Sequence, residues 1–372
     1  MTKINFHQLF FITLLFLWAG CEKPDNPIDD PEIPAPVTPV IPNLVVPNPS
    51  SEAVRLYDFL KANFGKKIIS GTVANVSWNT NEAEWVHQHT GKYPALNCFD
   101  YIFLFASSPG SGWIDYGDTK VVEDWRNAGG IVSCMWHWNV PKRANSTGND
   151  YSFYTEETDF DIREALKSGT RENTIMMADL EKIANYLLLL KNKNIPILWR
   201  PLHEAMGNYG KYSGGTAWFW WGAKGPEPFK NLWRLMFNYF KNKGLNNLIW
   251  VWTSESGDDN WYPGDEYVDI IGRDMYNQKS ANAMFLEYKN LEQCFPNRIV
   301  SLSECGNVAG IGEQLNAGAN WSWFMTWYDY DRTLTPGSAA FQSEAHQHGD
   351  AAFWRNAFAT GKVLSREDLK NP

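Results

Sequence analysis

The 372-residue sequence has no run of Lys or Arg that could follow a phosphate backbone, and its 33 basic residues are outnumbered by 42 acidic ones for a net charge of -9. Nucleic acid is therefore not an expected partner. It has no Cys-x-x-Cys pair: beyond Cys21, the cysteines are Cys98, Cys134, Cys294 and Cys305, three of them inside apolar runs where a small buried hydrophobe is the plain reading, so no zinc site is expected. A catalytic metal in a barrel would ask for a His-x-His pair at the end of a first strand. The available pairs, His87/His89 and His346/His348, fall instead in helix-like or loop-like segments. No internal repeat at fixed period and no change of composition after residue 50 marks a second domain.

The chain also lacks a leading apolar stretch of spanning length. Lys3 precedes Leu9 to Trp18 (LFFITLLFLW), shorter than the roughly 20 residues a bilayer needs, which fits a cleaved signal over residues 1–20. Ala19-Gly20-Cys21 resembles the lipobox of bacterial lipoproteins, which implies acylation of Cys21; ordinary secretion with Cys21 incidental is the alternative. Residues 22–49 carry nine of the 20 Pro and little that can pack, so residues 21–50 read as an extended tether of about 3.1 Å per residue. Its acidic start, Glu22, Asp25, Asp29 and Asp30, is similar to the export signal of surface lipoproteins in glycan-degrading Gram-negative bacteria. The expectation is an outer-membrane lipoprotein, held at the cell surface by its lipid alone.

What the sequence has in quantity is aromatic: 19 Trp, 16 Tyr and 21 Phe. Trp offers a flat apolar face and one N–H donor, a match for the C–H face and hydroxyl edge of a pyranose. From residue 51 to 372 the pattern alternates between helical periodicity and short apolar runs, the βα signature. Eight runs qualify as strands: 67–71, 94–100, 130–138, 195–204, 248–253, 268–276, 298–304 and 321–327. Helices are expected from Ser51 to the stop at Gly65, over Ala178 to Lys193, over Pro228 to Lys243 and near Ala351 to Thr360. Eight strands with helical crossovers make a single (β/α)8 TIM barrel preceded by the leader and Pro-rich linker.

Barrel chemistry sits at the C-terminal strand ends. Those ends read Asp100, His137, His203 with Glu204, Glu255, Asp274 with Tyr276, Glu304 and Trp327. A carboxylate closing an apolar strand is costly unless hydrogen-bonded or used, which singles out Glu304 after Ile299 to Ser303. Glu204, hemmed by Arg200, Pro201 and His203, is the second candidate, because the ends of strands 4 and 7 face one another across a barrel mouth. A retaining glycosidase needs two such carboxyl groups about 5–5.5 Å apart.

These residues resemble the family 26 glycoside hydrolases. Trp199-Arg200-Pro201-Leu202-His203-Glu204 is similar to that family's strand 4, with His rather than Asn before the acid/base, and Leu302-Ser303-Glu304-Cys305-Gly306 to its strand 7. Trp136-His137-Trp138, Trp218-Phe219-Trp220-Trp221-Gly222 and Gly272-Arg273-Asp274-Met275-Tyr276 extend the likeness. The resemblance implies Glu204 as acid/base, Glu304 as nucleophile and Tyr276 hydrogen-bonded to Glu304. It implies His203 and His137 on sugar hydroxyls, and Trp138, Trp218 and Trp327 stacked on rings. The implied substrates are mannan, glucomannan or galactomannan, cut internally by a monomer without cofactor.

Two features depart from the family pattern: the long stretch 205–217 between Glu204 and Trp218, and a carboxylate, Glu255, ending strand 5. A β-glucanase or β-1,3-xylanase of the same family is one alternative. A glycan-binding lipoprotein without turnover is another, although binding alone needs no pair of glutamates.

Overall fold

The computed structural model describes residues 40–75, 78–211, 215–330 and 335–369. The expected leader, Cys21 and the tether as far as residue 39 lie outside the described residues.

Eight parallel strands close into a barrel: β1 (Ile68–Val73), β2 (Leu96–Asp100), β3 (Ile131–Trp136), β4 (Ile197–Pro201), β5 (Leu248–Ser254), β6 (Ile270–Tyr276), β7 (Ile299–Gly306) and β8 (Trp323–Thr326). Each pairs with its neighbour in chain order, and β8 returns to β1 with Ile69 opposite Trp323 and Thr72 opposite Thr326. The alternation of side chains in a strand divides the apolar residues between two layers. Ile69, Leu96, Ile131, Leu198, Ile249, Ile270, Ile299 and Trp323, one from each strand, fill the inside. Val132, Trp136, Trp199, Trp250, Trp252 and Phe324 face the surrounding helices.

Most of the tryptophan belongs to that outer layer. Eleven of the 19 Trp are fully buried, among them Trp136, Trp138, Trp199, Trp220 and Trp221. The aromatic content thus builds the helix–barrel interface first, and only a minority of it is open to a ligand.

The floor of the barrel is closed by helix Ser51–Asn63, whose Ala53, Leu56, Tyr57 and Leu60 join the inner layer. Ser50 caps it by accepting from Ala53 N–H at 3.2 Å, an arrangement worth ~1 kcal/mol. Residues 40–50, expected to be free tether, run along this end instead. Val46 is buried, Val45 N–H donates to Asp269 at 2.8 Å, and Asn246 donates to the Asn48 carbonyl at 2.6 Å. Val45 and Val46 supply the apolar contact that a Pro-rich reading overlooks, and the folded domain begins about ten residues earlier than expected.

Helix Arg171–Asn192 starts a full turn and more before the expected Ala178, because Thr170 accepts from Asn173 N–H and caps it there. Helices Pro226–Asn242 and Ala351–Ala359 stand close to expectation. The loop after β3 is not featureless: Val140–Pro141 and Tyr151–Ser152 pair as a small antiparallel hairpin.

Candidate active site

Strand β4 stops at Pro201, three residues short of the expected end, and the chain turns sharply. Leu202 and Glu204 have φ of 50° and 49°, while every other described non-glycine residue with positive φ is Asn. Asn tolerates the left-handed region; Leu and Glu do so at a cost that the surrounding structure must hold in place. The turn keeps Leu202 and His203 buried and leaves Glu204 partly open to the cleft.

Glu304 reaches the mouth through an irregularity in the ladder. Arg273 stands opposite Leu302, yet Asp274 stands opposite Glu304, so Ser303 is an extra residue in β7. Such a bulge reverses which side chains point inward. Its hydroxyl donates to Asp274 at 2.7 Å. Gly272 makes the room: a Cβ there would lie 2.3 Å from Ser303 Oγ.

The result is a cluster of three carboxyl groups. Glu204, Asp274 and Glu304 each place an oxygen within 4.8 Å of the others'. Arg200 lies among them, bonded to Asp274 Oδ2 at 2.7 Å and, more closely still, to Glu304 Oε2. Burial opposes the charge on Arg200, but Asp274 and Glu304 outweigh it and hold its pKa above the usual value. The guanidinium therefore supplies the cation that this acidic group needs, and Tyr276 O–H donates to the other oxygen, Glu304 Oε1, at 2.5 Å. Glu304 is thus held by charge-assisted bonds on both oxygens.

Glu204 has a different environment. Burial first, then the charges of Asp274, Glu304 and Glu255, push its pKa well above 4.5, with Arg200 opposing weakly. The proton affinity of Glu204 is thus raised beside a carboxyl group whose two oxygens are gripped by Arg200 and Tyr276, a setting that suits a proton donor next to a nucleophile. The Tyr276 hydroxyl is pushed well above 10 by burial and by Glu304, so it remains a donor.

His137 is fixed by Asp100, whose carboxylate accepts from its main-chain N–H at 3.1 Å and from Nδ1 at 2.6 Å. His203 meets it edge-to-face at 4.5 Å. Burial, then Arg200 and His137, hold His203 neutral by pulling its pKa well below 6.5. It is 1% exposed, so it has at most a ring edge to offer. Trp327, 5.8 Å from His137, is stacked on Tyr328 over one face and donates its N–H to Tyr330 at 2.9 Å.

Trp218, 47% exposed, stands over the cleft beside Glu204. Its ring rests on Gly207, where a Cβ would lie 2.3 Å from Trp218 Cε3, and its main-chain N–H donates to the Gly207 carbonyl at 2.9 Å. Trp138 is a correction. It is fully buried, stacked on Trp136 at 4.0 Å, with its N–H on Asp179 at 2.8 Å. β3 ends at Trp136, and Trp138 joins Trp136 in the outer layer while His137 between them meets Asp100 at the mouth.

Sequence reasoning assigned no role to Asp274, Asp100 or Ser303, and none to Lys211, whose ammonium pairs with Glu255 at 2.6 Å. Asp100 and Asp274 stood at strand ends and were visible there; nothing in the sequence marked Ser303 or Lys211. The histidine pairs do other work: His87 stacks on Tyr93 at 4.0 Å, and His346 bonds Glu82 at 2.8 Å.

A sequence model of glycosyl hydrolase family 26 matches residues 45–348. A mannan endo-1,4-beta-mannosidase of Thermothelomyces thermophilus is 39% identical over 308 residues, 80% of this chain and 60% of that protein. Mannan endo-1,4-beta-mannosidase B of a Piromyces species is 34% identical over 77% of this chain and 48% of its own length. The chain therefore spans about half to three fifths of these curated relatives. Among solved structures, the GH26 domain of an endo-beta-mannanase/endo-beta-glucanase from Prevotella bryantii is 40% identical with a TM-score of 0.80, covering 88% of this chain and 99% of that one. A beta-mannanase from a symbiotic protist of the termite Reticulitermes speratus, complexed with gluco-manno-oligosaccharide, is 34% identical with a TM-score of 0.73 over 90% of this chain and 99% of its own.

Proposed function

The chain belongs to glycosyl hydrolase family 26, and from that premise we propose that it is a retaining endo-β-1,4-mannanase acting on mannan, glucomannan or galactomannan. The observation that carries the reading is the pair Glu204 and Glu304, with oxygens within 4.8 Å, Glu304 gripped by Arg200 and Tyr276, and the proton affinity of Glu204 raised by burial and by neighbouring carboxyl groups. That spacing suits direct attack; an inverting pair stands about 6.5–9.5 Å apart to admit a water.

In the first step a Glu304 oxygen attacks the anomeric carbon while Glu204 passes its proton to the departing glycosidic oxygen, giving a glycosyl ester on Glu304 and a free sugar hydroxyl. In the second step Glu204, now ionised, takes a proton from water, and the resulting oxygen displaces Glu304. Tyr276 and Arg200 hold the nucleophile, and His137 lines the ring that reacts. The relatives named as mannosidases, and the protist enzyme complexed with gluco-manno-oligosaccharide, support mannan over a β-glucan or β-1,3-xylan. A glycan-binding protein without turnover would have no use for the raised proton affinity of Glu204.

Reducing-sugar release from mannan, glucomannan, galactomannan, mixed-linkage glucan and β-1,3-xylan tests this. The mannans are expected to be cleaved fastest, and Glu304→Ala to release nothing. Equal release by both proteins would contradict the assignment.

The same proposal places the domain outside the cell as a monomer on an outer-membrane lipid anchor at Cys21. Support comes from the apolar stretch Leu9 to Trp18, Ala19-Gly20-Cys21 and the proline-rich residues that follow. Incorporation of labelled palmitate, lost together with membrane association in Cys21→Ser, is the expected result.

A further inference from the structure

The two departures from the family pattern meet in space. Lys211, within the long stretch 205–217, pairs with Glu255 at the end of β5: Nζ lies 2.6 Å from Oε2. Both line a cavity of about 330 Å³ together with Glu204, Trp218, Arg273 and Tyr276, within the roughly 300–1,000 Å³ usual for small-molecule sites.

This pocket is built for a polar ligand. Glu255 is set in place by its own N–H, which donates to Asp258 at 2.6 Å. Its Oε1 is buried without a hydrogen-bond partner, and so is Arg273 Nε. Buried polar atoms left unpaired are costly, so groups of this kind are expected where a ligand completes them.

The position of the pocket says which part of a substrate it takes. On the proposed function, the reacting ring is the one Glu304 attacks, beside His137. Glu204 delivers its proton to the oxygen joining that ring to the next. The pocket runs from Asp274 and Tyr276 past Glu204 to Trp218, Lys211 and Glu255 and includes neither histidine, so its Lys211 end suits the sugar beyond that oxygen.

We propose that the Lys211–Glu255 pair, with Arg273 behind it and Trp218 as its apolar floor, binds the sugar on the leaving-group side of the scissile bond and sets which hydroxyl pattern is accepted there. A cation and an anion side by side offer a donor and an acceptor to vicinal hydroxyls, and the aromatic face takes the C–H side of the ring. This rests on the reading of the site as a retaining β-glycosidase.

The test compares mannopentaose, with sugars on both sides of the cut, with an aryl β-mannobioside, whose leaving group is no sugar. Lys211→Ala is expected to lower kcat/KM on mannopentaose about tenfold, the scale of one charge-assisted hydrogen bond, and to change the aryl glycoside no more than about twofold. Lys211→Arg should restore most of the loss. Equal falls on both substrates, or no fall on either, would overturn the proposal. A wild-type protein that cleaves no β-glycan would overturn both this inference and the reading beneath it, and is distinguishable because it shows before any variant is made.

Discussion

Glu304 stands opposite Asp274 in the ladder of β6 and β7, although the residue before Asp274 stands opposite Leu302. The displaced residue, Ser303, turns Glu304 from the helical layer into the mouth. Strict alternation would have sent Ile299, Ser301 and Ser303 inward and Glu304 outward. The position of Glu304 is therefore a property of the bulge, and the bulge depends on Gly272.

Gly272→Ala should be damaging far beyond its size. Its Cβ would meet Ser303 Oγ at 2.3 Å and Ser303 Cβ at 2.7 Å. Overpacking of this kind costs about 1–3 kcal/mol, visible as a lower urea midpoint. Activity should fall further than stability explains, since Glu304 moves with the bulge.

Tyr276→Phe removes the O–H that donates to Glu304 Oε1 while keeping the ring beside His348. A hydrogen bond to a charged group is worth about 1.5–3 kcal/mol, so kcat/KM should drop roughly 10- to 100-fold. A steady-state comparison checks this, and unchanged thermal unfolding would confirm that the effect is local.

Glu204→Gln should uncouple activity from stability in a pH-dependent way. Burial, Asp274, Glu304 and Glu255 raise the folded-state pKa of Glu204 above its ordinary 4.5. Between those two values the folded chain keeps a proton that the unfolded chain has released, so stability falls as pH rises through the window and stays reduced above it. The inactive Gln variant should therefore melt higher than wild type at pH 7 to 8, with the gap closing as pH falls toward 4.5. A gap that widens on acidification would contradict the environment assigned to Glu204. Loss of the same proton should set the high-pH limb of wild-type activity.

The barrel was legible because eight short apolar runs, separated by helical periodicity, leave few other ways to bury a parallel sheet. Both glutamates were legible as carboxylates at strand ends. Trp138 was misread because it was given the same face as its neighbour His137, whereas it packs with Trp136 in the outer layer. The abundance of Trp was only a hint, since Trp85, Trp199, Trp233 and Trp250 serve the core. What sequence could not reach was tertiary. The Ser303 bulge, the left-handed turn at Leu202 and Glu204, and the pairing of Lys211 with Glu255 across 44 positions depend on contacts between distant segments. The packing of Val45 and Val46 under the barrel was hidden by the prolines on either side.

The central claim, a glycosyl ester on Glu304 formed with help from Glu204, is tested most directly by trapping that ester. Incubation with a 2-deoxy-2-fluoro β-mannoside bearing an activated leaving group, followed by peptide mass mapping, should add one fluoroglycosyl unit to the β7 peptide at Glu304. A label on Glu255 or Asp274 instead, or products released with inverted anomeric configuration, would contradict it.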